Sequence, residues 1–116
     1  MIARLVAVLV ALVIYSDAAD AFIRGRLVCG LNVAAWRHVH GLSVPGAPAV
    51  AASWLTLARR PPHKGAVLVT KRPGGRYHVA IFVGGGMCLN PSSRAQAWQT
   101  KPCNSIWRGL WRTYRG

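Results

Sequence analysis

Three residues of this chain have the types and spacing of a cysteine nucleophile with its base. Cys29 lies in Leu27-Val28-Cys29-Gly30-Leu31-Asn32-Val33-Ala34-Ala35-Trp36-Arg37, and His78 heads the run His78-Val79-Ala80-Ile81-Phe82-Val83. Thiolate is the reactive form of cysteine, and both a helix N-terminus and a neighbouring imidazolium favour it. Asn90, twelve residues after His78, can accept a hydrogen bond from one ring nitrogen and fix the tautomer. The other nitrogen is then the one that takes the thiol proton. With the Cys29 backbone N–H helping to hold an oxyanion, these groups would suffice for acyl transfer.

Such chemistry needs a helix to carry the thiol and a sheet to carry the imidazole. Apolar spacing predicts a helix over about Val28–His38, buried through Leu31 and Ala35, with Gly41 as its C-cap. A second helix is expected over Ala49–Ala58, stopped by Arg59-Arg60-Pro61-Pro62. Strands follow at Gly65–Thr70, His78–Val83 and Met87–Asn90, with a short one at Trp98–Thr100. A last strand or strand pair is expected within Ile106–Arg115. Helices followed by hairpin-connected strands imply an α+β domain: leading helices packed on a small antiparallel β-sheet. Trp36, Trp54 and Phe82 should weigh heavily in so small a core.

The hairpin decides whether Asn90 can serve His78. A three-residue loop at Gly84-Gly85-Gly86 would pair Val83 with Met87 and set Ala80 opposite Asn90. His78, Ala80, Phe82, Cys88 and Asn90 would then share one face, with Asn90 diagonal to His78. A two-residue loop would turn Asn90 to the other face.

Charge narrows the chemistry further. The chain has 15 Lys and Arg against two acids, Asp17 and Asp20. Met1-Ile2-Ala3-Arg4, the apolar run Leu5–Ile14 and Ala19-Asp20-Ala21 form the three parts of a secretory signal peptide, with cleavage expected after Ala21. Residues 22–116 would then be a single domain of 95 residues. Only Arg4 of the 15 cations would leave, and both acids would go, giving +14 with no carboxylate side chain. That excludes paired-carboxylate hydrolysis, carboxylate-bound calcium or magnesium, and a Ser-His-Asp triad. The expected location is exported, periplasmic or extracellular. The alternative is a membrane anchor retained through residues 5–15. A charge this positive implies an anionic partner, such as an envelope polymer or, peripherally, a lipid surface; the export signal argues against nucleic acid.

The residues around Cys29, His78 and Asn90 resemble the papain-like NlpC and CHAP cysteine peptidases and amidases of bacterial cell walls. The matching stretches are Cys29 at a helix start, Gly65-Ala66-Val67-Leu68-Val69 followed by His78-Val79-Ala80-Ile81, and Asn90-Pro91-Ser92. Ala51-Ala52-Ser53-Trp54-Leu55 is similar to the second helix of small members. The resemblance implies a papain-like fold and a monomeric secreted hydrolase. Its catalytic residues would be Cys29, His78 and Asn90, without cofactor or metal, acting on stem-peptide or amide bonds of peptidoglycan. The chain departs from the family pattern with Val28 before the cysteine, Ala66 after Gly65, and no acidic third residue. The alternative reading is a non-catalytic cationic protein that binds anionic envelope surfaces.

The remaining residues of these types carry less. His38, His40 and His63 have no Cys, Asp or Glu at metal-ligand spacing. With three cysteines, Cys29 is expected to remain a thiol; Cys88 and Cys103 could form a bridge or be two buried reduced thiols.

Overall fold

The computed structural model describes residues 28–71, 74–92, 94–106 and 111–116. The leader expected at 1–21 therefore lies outside the described residues. Among the described residues, no helix is long and apolar enough to cross a membrane.

The first helix, α1, runs Cys29–Val39 and ends ahead of Gly41 at φ +70°, a left-handed position that suits glycine. The stretch expected as a second α-helix is a shorter 3₁₀ turn, Ala51–Thr56. Its backbone bonds close over three residues, Ser53 N to Val50 O and Leu57 N to Trp54 O, while Ser53 Oγ donates to Ala47 O and Trp54 Nε1 to Pro48 O, tying the segment to the loop before it.

Five strands follow: β1 (Val67–Lys71), β2 (Tyr77–Gly84), β3 (Met87–Ser92), β4 (Ala97–Pro102) and β5 (Arg112–Arg115). A 3₁₀ turn at Cys103–Ser105 lies between β4 and β5. The sheet is antiparallel throughout, in the order β4-β3-β2-β1-β5. The expected α+β architecture, a small antiparallel sheet with few helices, is present. Of the last strand or strand pair expected within Ile106–Arg115, Arg112–Arg115 is β5, and residues 107–110 lie outside the described set.

Alternation along the strands builds two apolar layers. Val67, Val69, Val79 and Ile81 meet Val33, Ala34 and Trp54, joining the sheet to α1 and the first 3₁₀ turn. Leu68, Ala80 and Cys88 meet Cys103 and Ile106 on the other side, with Phe82 and Tyr114 packed alongside. Phe82 and Tyr114 touch edge to face, with ring centroids 5.7 Å apart. Burial pushes the Tyr114 phenol above its ordinary pKa, and nearby Arg112 opposes that shift.

Of the three tryptophans and phenylalanines expected to dominate the core, Trp54 is fully buried, while Trp36 and Phe82 are partly so. A sulfur bridge closes the second layer: Cys88 and Cys103 are disulfide-bonded and Cys29 remains a thiol. Arg37 is the buried cation, 1 % exposed. It donates to Ser43 O at 2.8 Å, to Gly65 O and to Gly116 O, so one guanidinium ties α1 to the loop after it, to the lead into β1 and to the chain end. Desolvation lowers its pKa.

Candidate functional site

The hairpin turn has two residues, Gly85 and Gly86, and Gly84 pairs with Met87. Both turn residues have positive φ (60° and 72°), as a type I′ hairpin turn requires. Continued without interruption, that register would put Asn90 on the face away from His78. A β-bulge between Phe82 and Gly84 restores the phase: Phe82 pairs with Cys88 and Ile81 with Leu89. Carried one residue further, this register sets Ala80 opposite Asn90. The expected pairing of Asn90 is thus reached by a two-residue turn and a bulge, not by a three-residue loop.

Asn90 meets His78 as the register requires. His78 Nε2 lies 2.6 Å from Asn90 Oδ1, and both residues are buried, each 8 % exposed. An amide oxygen only accepts, so Nε2 is the donor. In the neutral ring Nδ1 then holds the lone pair and is the basic nitrogen. Thr70 of β1 stands directly across from His78 and is 1 % exposed, with no hydrogen-bond partner for its hydroxyl among the described residues. The sequence reading missed Thr70; its place at the end of β1, in phase with His78 across the ladder, was the available signal.

Cys29 is the first residue of α1 and is half-buried. It packs against the layer that Val79 and Ile81 enter, and α1 rests on β2 and β3. One turn on, Asn32 is fully buried, with neither side-chain amide atom partnered among the described residues. A buried orphan of this kind costs about 1–3 kcal/mol.

The His78–Asn90 pair opens into a cavity of about 580 Å³. Ser92, Arg94, Gln99, Lys101, Ser105 and Ile106 also line it, whereas Cys29 does not. The sheet brings His78 and Asn90 together, and the thiol comes from the start of α1. Among the described residues, no group of three His, Cys, Asp or Glu side chains could hold a metal ion. His38 is half-buried; His40 is exposed and stacks on Trp36 with ring centroids 3.7 Å apart.

No family model, curated protein or solved structure matches this chain.

Proposed function

We propose that the protein is an exported papain-like cysteine hydrolase of the NlpC/CHAP type, acting on stem-peptide or amide bonds of peptidoglycan. The observation that carries the reading is the buried 2.6 Å hydrogen bond from His78 Nε2 to Asn90 Oδ1, which selects the tautomer with a basic Nδ1. In the reaction, Nδ1 of His78 takes the proton of the Cys29 thiol, and the thiolate attacks the carbonyl carbon. The tetrahedral oxyanion collapses to a thioester as His78 returns the proton to the leaving amine. Water, deprotonated by His78, then releases the acid and the thiol. Asn90 acts through His78, as a positioning residue. The mechanism requires the Cys29 sulfur and His78 Nδ1 to meet around the bound substrate. The cationic surface would hold the enzyme on an anionic envelope polymer, affecting encounter more than chemistry.

A second reading rests on charge: residues 22–116 carry 14 Lys and Arg and no acidic side chain. On that reading the protein binds anionic envelope surfaces without catalysis. One experiment separates the two. Residues 22–116 and the Cys29→Ala variant are incubated with peptidoglycan, and released fragments and new amines are measured. The hydrolase reading expects release that the substitution abolishes and iodoacetamide blocks. Release equal in both proteins, or absent from both, refutes it.

A further inference from the structure

The cavity beside His78 has a property that the proposed roles of Cys29, His78 and Asn90 do not use. Its rim carries two cations, Arg94 and Lys101, and no acid, because the described residues contain no Asp or Glu. Neither cation can be neutralised by a carboxylate side chain of the described chain. Hydroxyls and an amide complete the lining: Ser92 and Ser105 from opposite ends of the β3–β4 hairpin region, and Gln99 directly across the ladder from Asn90.

The positions of these groups are built into the fold. Lys101 pairs with Cys88, the residue whose disulfide to Cys103 anchors the 3₁₀ turn bearing Ser105. Ser92 Oγ accepts from Ala95 N, which pins the turn that carries Arg94. The cations are therefore held by a cross-linked hairpin on the same face as the His78–Asn90 pair.

We infer that this cavity is a subsite for a carboxylate-bearing peptide, with Arg94 and Lys101 receiving the carboxylate while His78 stands next to the adjoining amide. The inference rests on the hydrolase reading for its peptide, but the anion site itself stands on the cavity and its charge. Hydrogen bonds to charged groups outweigh neutral ones, so a carboxylate should be preferred over its carboxamide by about tenfold to a hundredfold. A general attraction to the protein's net positive charge would show no dependence on which cations are removed.

Binding is tested in the Cys29→Ala protein, residues 22–116, by following the His78 ring and Asn90 side-chain amide signals by NMR. The probes are N-acetyl-dialanine and N-acetyl-dialanine amide. The carboxylate form should shift both signals with an affinity at least about tenfold above that of the amide. An Arg94→Gln/Lys101→Gln double variant should erase the preference. An Arg59→Gln/Arg60→Gln variant, with the same loss of charge at a distant surface, should keep it within about twofold. Equal response to acid and amide, or equal loss in both double variants, overturns the inference. Because binding is read without turnover, failure of the hydrolase reading, seen as no fragment release by the native protein, is distinguishable from failure of the carboxylate subsite.

Discussion

Replacing Asn90 by alanine tests the link between the sheet register and the site. The substitution removes the acceptor of a 2.6 Å hydrogen bond whose donor, on His78, is 8 % exposed. Water entering from the cavity can replace only part of that bond, so the loss should be about 1–2 kcal/mol. For a domain of this size each kcal/mol lowers Tm by about 4–8 °C, so a fall near 10 °C is expected in thermal unfolding followed by circular dichroism. The ¹⁵N shifts of the His78 ring give a second readout, since loss of the Asn90 acceptor should mix the two neutral tautomers. An Asn90→Asp variant restores an acceptor and adds a carboxylate. Its gain over alanine should be greatest while the acid is ionised and the imidazole charged. The ion-pair part of that gain should be lost as pH rises and the imidazole gives up its proton, leaving the hydrogen bond to the neutral ring. If Asn90→Ala unfolds within about 2 °C of the native protein and leaves the tautomer unchanged, the account of the bulge and its hydrogen bond is wrong.

Other outcomes follow from the same structure. Reduction of the Cys88–Cys103 bridge, or its replacement by two alanines, opens a loop with a sequence separation of 15 and should cost about 3 kcal/mol, read as a lowered denaturation midpoint. Arg37→Lys keeps the charge but cannot reproduce a planar fork reaching Ser43 O, Gly65 O and Gly116 O; a loss of about 2 kcal/mol is expected in urea unfolding, and wild-type stability would contradict the role given to that guanidinium.

Much of the architecture was legible because the strands announce themselves. In His78–Val83 the β-branched Val79, Ile81 and Val83 alternate with His78, Ala80 and Phe82, and Gly84-Gly85-Gly86 marks the turn, so β2 and β3 fall where periodicity puts them. The helix around Cys29 was legible as a helix, and Ala35 is buried as expected, but Leu31 is only half-buried and the inner side runs through Gly30, Val33, Ala34 and Arg37. The 3₁₀ turn at Ala51–Thr56 was not, since its alanines and leucine read as a good α-helix. Only the folded loop shows that Ser53 and Trp54 turn back onto Ala47 and Pro48. The cationic rim at Arg94 and Lys101 was equally hidden, because residues on a turn and an edge strand converge on His78 only through β3–β4 pairing.

Composition by itself removed carboxylate chemistry from residues 22–116, since no fold can supply a side chain that the chain lacks. Residue order likewise set the hairpin and put a thiol at a helix start, both being local consequences of backbone preference. Tertiary structure decided the rest: that Cys88 and Cys103 are bonded to each other, and that a bulge near Val83 brings Asn90 back to His78. The reason is common to both. Each depends on the phase between segments far apart in sequence, and a shift of one residue on a pleated strand reverses the face on which a side chain emerges.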